Sequence, residues 1–106
     1  MADSVRASHI LLMYSGSSRS SATRSKEEAQ TQIADLKKQL DDGADFGKLA
    51  GQHSDCPSRA KGGDLGQFGR GQMVPAFEQS AFGMEIGQVS DVVETDFGYH
   101  LITRTG

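Results

Sequence analysis

The residues able to do chemistry in this chain are His9, His100, Cys56 and a glycine-rich stretch flanked by large apolar side chains. His9 and His100 each lie in an alternating, strand-like run, with Ala7 and Leu11 two positions from the first and Ile102 two from the second. A histidine on a buried strand face must be hydrogen-bonded and stays mostly neutral, because desolvation disfavours its charged form. Taken singly, each reads first as a satisfied core histidine; on neighbouring strands the two rings could bond to each other. Cys56 stands between Asp55 and Pro57 in a loop, and reads either as a functional thiol or as a small buried hydrophobe. A Cys–His hydrolase needs a base beside the sulfur and an oxyanion hole, and no nucleophile-elbow pattern surrounds Cys56. Zinc needs three or four ligands at metal spacing, which one cysteine and the scattered His9, His53 and His100 do not supply, so no metal is expected. Leu65, Phe68, Met73 and Phe77 surround Gly62, Gly63, Gly66, Gly69 and Gly71. That set is ordinary core if covered, and a shallow apolar cup if open. The phosphate-loop pattern GxxxxGK[ST] is absent.

These residues need elements to place them. Residues 5–14 (VRASHILLMY) are apolar on both alternating faces, which predicts a central strand covered on both sides. Residues 15–25 (SGSSRSSATRS) offer no apolar face and read as a flexible loop whose only charges are Arg19 and Arg24. Ser25 followed by Glu28 is a capping box; Ala29, Ile33, Leu36 and Leu40 then form one helical stripe, and Gly43 stops it. Asp45 can cap a short second helix carrying Phe46, Leu49 and Ala50. Residues 64–68 could form a strand. Pro75 opens a third helix with Phe77, Ala81 and Phe82 inward, ended by Gly83. Residues 89–94 and 99–104 are strand-like and joined by the turn 95–98, a hairpin. The order β-α-α-β-α-β-β predicts an α+β domain on a small, largely antiparallel sheet.

Composition bounds the alternatives. At 106 residues the chain fits one domain, taken as 1–106. Apolar residues make up only 36%, with 13 glycines, so the core must be efficient and leaves no room for a large cofactor crevice. The net charge, −3, argues against nucleic acid as a partner. A single Cys excludes an intrachain disulfide, and no apolar run reaches the roughly 18 residues of a membrane span or reads as a signal peptide. The expectation is a soluble, intracellular, monomeric domain, cytoplasmic and/or nuclear.

ASHILLMY, and then SDCPSRAKGGDLGQFGRGQMVPAFEQSAFGMEIGQVSDVVETDFGYHLI, resemble the parvulin family of peptidyl-prolyl cis-trans isomerases, over about residues 5–105. The Cys after Ser-Asp and the FGRGQM phrase are most similar to the Pin-type branch, which favours phosphoserine- or phosphothreonine-proline bonds. The resemblance implies a parvulin-like fold within the FKBP-like superfold: a four-stranded antiparallel sheet surrounded by about four helices, one of them a short helix near the Cys loop. It implies that His9, Cys56, Thr95 and His100 form the catalytic polar network, that Leu65, Met73 and Phe77 form the proline pocket, and that Phe68 and Gln72 line the cleft. Arg19 and Arg24 are the candidates for binding a phosphate. Against the Pin-type pattern, Met13 replaces an expected Lys and Ser18 one of an Arg pair, the loop is shorter, and Phe97 occupies a usually small position. With no Trp and no N-terminal extension, no WW domain is expected. No cofactor is implied, and the partners implied are proline-containing, phosphorylated protein clients. The other readings are a phosphopeptide- or proline-binding module with little catalysis, an isomerase without phosphate preference, and a Cys–His hydrolase.

Overall fold

The computed structural model describes residues 4–17, 20 and 22–106. Arg19 and Ser18 lie outside the described residues.

Four strands form one sheet in the order β2-β1-β4-β3, every neighbouring pair antiparallel. β1 (Ser4–Leu12) and β4 (Gly98–Arg104) are the central pair, with β2 (Asp64–Gly69) and β3 (Val93–Thr95) at the edges. In the central register His9 faces Ile102 and Leu11 faces His100. Opposite residues share a face, so the two histidines are diagonal neighbours on one side of the sheet.

The two apolar faces of β1 bury against different helices. Ile10, Leu12, Tyr99 and Leu101 pack under α1 (Lys26–Asp41) and α2 (Phe46–His53), which contribute Ala29, Ile33, Leu36, Leu49 and Ala50. Val5, Ala7, Ile102 and Phe68 pack under α3 (Pro75–Gly83), which contributes Phe77 and Ala81, with Met84 just beyond it. The N-termini follow the expected chemistry. Ser25 accepts from Glu28 N while Glu28 Oε1 accepts from Ser25 N, Asp45 accepts from Lys48 N, and Pro75 opens α3. A 3₁₀ helix, Pro57–Lys61, follows Cys56 and is the short helix expected there, so the described residues form three α-helices and one 3₁₀ helix.

Two strand boundaries differ from the pattern. β1 stops at Leu12 because the Met13 N–H donates to Asp55 Oδ2 (2.9 Å) rather than to a strand. The stretch 89–94 pairs only from Val93, apart from a lone bridge between Val89 and Thr103. Between them the Ser90 hydroxyl accepts from Ile102 N (3.0 Å), and a side chain thereby replaces a ladder bond. Phe82, expected inward, is only partly buried and meets Phe68 edge-on at 6.1 Å.

Candidate active site

On the α3 side of the central strands, His9 Nδ1 and His100 Nδ1 are 3.1 Å apart and the rings are stacked at 5.3 Å. At that distance one proton is shared, since two N–H groups cannot face each other. His100 Nε2 meets Thr95 Oγ1 at 2.7 Å, and that hydroxyl also accepts from Phe97 N (3.2 Å) in the β3–β4 hairpin. The hairpin turn thus anchors the end of a chain running Thr95–His100–His9. Both rings are about 95% covered, His9 5% and His100 4% exposed. Burial lowers the His9 pKa to about 4. Burial, with the neighbouring His9 second, lowers that of His100 to about 3. The pair is therefore neutral at physiological pH.

Phe77 from α3 stands edge-on to both rings, with centroids 5.6 Å away in each case. Phe68 packs against Phe77 at 5.9 Å. Leu65 and Met73 are half-buried against the same cluster. The expected proline-pocket residues therefore form one apolar surface continuous with the histidine pair. Phe68 and Phe77 are both buried, 4% and 3% exposed, and form the base of this surface, while Leu65 and Met73 are its half-exposed part. Gln72 is exposed, and its Oε1 accepts from Gly69 N (2.9 Å), closing the turn after β2.

Cys56 reaches the site by a different route. Beyond the β2 pairing, the free edge of β1 is taken up by loop backbone. His9 N donates to Gly63 O (2.9 Å) and Asp55 N donates to Leu11 O (2.7 Å). Ser54, fully buried, accepts with its hydroxyl from Leu11 N (3.0 Å) and Cys56 N (3.3 Å). Cys56 is a free, partly exposed thiol held beside the β1 segment that carries His9. Among the described residues no hydrogen bond joins its sulfur to a base, and no three His, Cys, Asp or Glu side chains are placed to hold a metal ion. Nothing described activates the thiol for attack.

Of the two loop cations, Arg19 lies outside the described residues. Arg24 is committed: its Nη1 donates to Met13 O (2.8 Å) and to Asp55 Oδ2. Ser54 and Asp55 were not singled out from sequence. The available signal was a Ser-Asp pair just after a helix, residues that readily bond neighbouring backbone.

The sequence model of the PPIC-type PPIASE domain matches residues 1–106. A curated relative from Digitalis lanata, peptidyl-prolyl cis-trans isomerase Pin1, is 44% identical over 98% of this chain and 98% of its own length. The solution structure of TbPIN1 superposes with a TM-score of 0.90 at 36% identity, covering 100% of both chains. The peptidyl-prolyl isomerase ESS1 from Candida albicans gives a TM-score of 0.89 at 37% identity, over 98% of this chain and 63% of that longer one. With the whole sequence and the whole sheet accounted for, the chain belongs to the PPIC-type peptidyl-prolyl cis-trans isomerase family, the parvulins, and is similar to their Pin-type members.

Proposed function

We propose that the chain accelerates cis–trans rotation about Xaa-Pro bonds of protein clients, and prefers an acidic, phosphoserine or phosphothreonine residue before the proline. The observation that carries the isomerase reading is the neutral, buried His9–His100 pair with Phe77 edge-on to both rings and Leu65 and Met73 beside it.

Rotation about the Xaa-Pro amide has a barrier of about 18–20 kcal/mol, set by resonance, and makes or breaks no bond. A catalyst must therefore bind the twisted amide better than either planar isomer. The twisted amide has lost its resonance charge separation, so a surface poor in water and without net charge favours it. In this reading Leu65 and Met73 grip the proline ring above Phe77, which forms the buried base of the pocket, and the apolar area covered contributes roughly 25 cal/mol per Å². Cys56 flanks the rotating carbonyl and acts electrostatically, not covalently. His9, His100 and Thr95 hold the central strands and keep the floor of the site neutral. No cofactor is required, and the enzyme works as a monomer of the cytoplasm or nucleus.

The preference for an anionic residue before proline rests on Arg19, which lies in the same Ser-rich loop as Arg24. Charge-assisted hydrogen bonds from a guanidinium suit a phosphate. Arg24 shares its charge with Asp55, so Arg19 carries the preference. The test is a panel of Ala-Pro, Glu-Pro and phosphoSer-Pro peptides with wild type, Arg19→Ala and Cys56→Ser. The expected result is faster turnover of the two acidic peptides, loss of that difference in Arg19→Ala, and substantial activity in Cys56→Ser. Equal wild-type rates on all three peptides contradict the preference. An inactive but folded Cys56→Ser protein contradicts the noncovalent role.

A further inference from the structure

We propose that Arg24 is a positioning residue: by pairing with Asp55 it fixes the backbone segment that presents Cys56. One carboxylate oxygen, Asp55 Oδ2, accepts both from Arg24 Nη1 and from Met13 N (2.9 Å), while Nη1 also donates to Met13 O (2.8 Å). Asp55 N in turn donates to Leu11 O (2.7 Å). The last residues of β1, the cation and the residue before Cys56 thus form a single knot.

Arg24 is also where the Ser-rich loop closes. Its carbonyl accepts from Ser15 N (2.8 Å), which ties Arg24 to the chain just after β1. The side chains of the pair are only 25% and 27% exposed. Removing one partner of a pair this covered leaves the other charge without compensation, and a backbone held by that charge moves. A solvent cleft lined by Met13, Ala22, Thr23, Arg24 and Asp55 opens onto the knot. The consequence is general. Disturbing Arg24 displaces Cys56 for every substrate, whereas a residue that merely bound phosphate would matter for phosphorylated substrates alone.

The inference rests on the reading that Cys56 borders the rotating bond, and its test separates the two. Arg24→Gln, Arg24→Lys, Asp55→Asn and the Arg24→Gln/Asp55→Asn double variant of the full chain are compared. kcat and KM are measured on Ala-Pro and phosphoSer-Pro peptides, and the rate of Cys56 alkylation by iodoacetamide is followed across pH. Arg24→Gln and Asp55→Asn each lower kcat about tenfold on both peptides, and the double variant loses no more than either single one, since the two residues act as a unit. Arg24→Lys restores most of the loss, and the alkylation profile shifts alike in Arg24→Gln and Asp55→Asn. A loss confined to phosphoSer-Pro, additive losses, or an unchanged alkylation profile overturns the proposal. Should Arg24→Gln not fold, Arg24→Lys and Asp55→Asn decide by the same readouts. Wild-type inactivity on every peptide overturns the isomerase reading instead, and the alkylation comparison still decides the role of Arg24.

Discussion

Two imidazoles in contact beneath an aromatic side chain put a proton-binding capacity where the fold cannot use it. His9 is held down to a pKa of about 4 and His100 to about 3, chiefly by burial, while in the unfolded chain both return to about 6.5. Between those values the unfolded state binds more protons than the native one, so stability rises with pH. The contribution is fully present above pH 6.5 and is lost progressively as pH falls toward 4. For His9 alone the shift corresponds to something on the order of 3 kcal/mol. Urea midpoints measured from pH 7.5 to 4 should therefore fall steeply below pH 6.5, and His9→Leu should flatten that fall. A wild-type midpoint independent of pH over this range contradicts a buried neutral pair. The histidines were visible in the sequence as polar residues on apolar strands. Their contact was not, because it depends on a pairing between residues 91 positions apart.

At the level of elements, the helices were legible because their signals are local. The Ser25–Glu28 box, Asp45 and Pro75 each bond or constrain backbone within one turn, and α1, α2 and α3 begin where they say. Strand limits were less legible, because side chains from elsewhere end them: Asp55 stops β1, and Ser90 interrupts the approach to β3. The hairpin that carries Thr95 depends on Gly98, at φ +142°, where an added Cβ would lie 2.2 Å from Leu12 O. That oxygen belongs to the central strand and cannot yield without opening the sheet. Gly98→Ala is expected to cost about 3 kcal/mol or more, read as a fall in Tm of about 10–20 °C. Gly83→Ala, where nothing lies within 4 Å of the added Cβ and φ is ordinary, is the matched control and should stay close to wild type. Equal effects of the two substitutions contradict the close approach of hairpin and β1.

For the molecule as a whole, one sheet with a helix layer on each face separates two duties. The α1–α2 side is a sealed core of Ile10, Leu12, Ile33, Leu36 and Leu101. The α3 side mixes core with an apolar surface that reaches the histidines. The α+β class and the element order follow from periodicity and caps. The strand order β2-β1-β4-β3 and the meeting of residues 9, 77, 95 and 100 come from nonlocal pairing, which periodicity cannot show; the family resemblance implied the four-stranded antiparallel sheet but not its order. The pairing of Arg24 with Asp55 was hidden for the same reason: the two residues are 31 positions apart, and the loop between them and β1 carries no periodic pattern. The account as a whole stands on catalysed rotation, and exchange spectroscopy on a short Glu-Pro peptide measures that directly. With a catalytic quantity of the folded protein, cis and trans resonances should exchange well above the uncatalysed rate, whose time constant is tens to hundreds of seconds. Peaks that shift on binding while their exchange stays at that rate would contradict it.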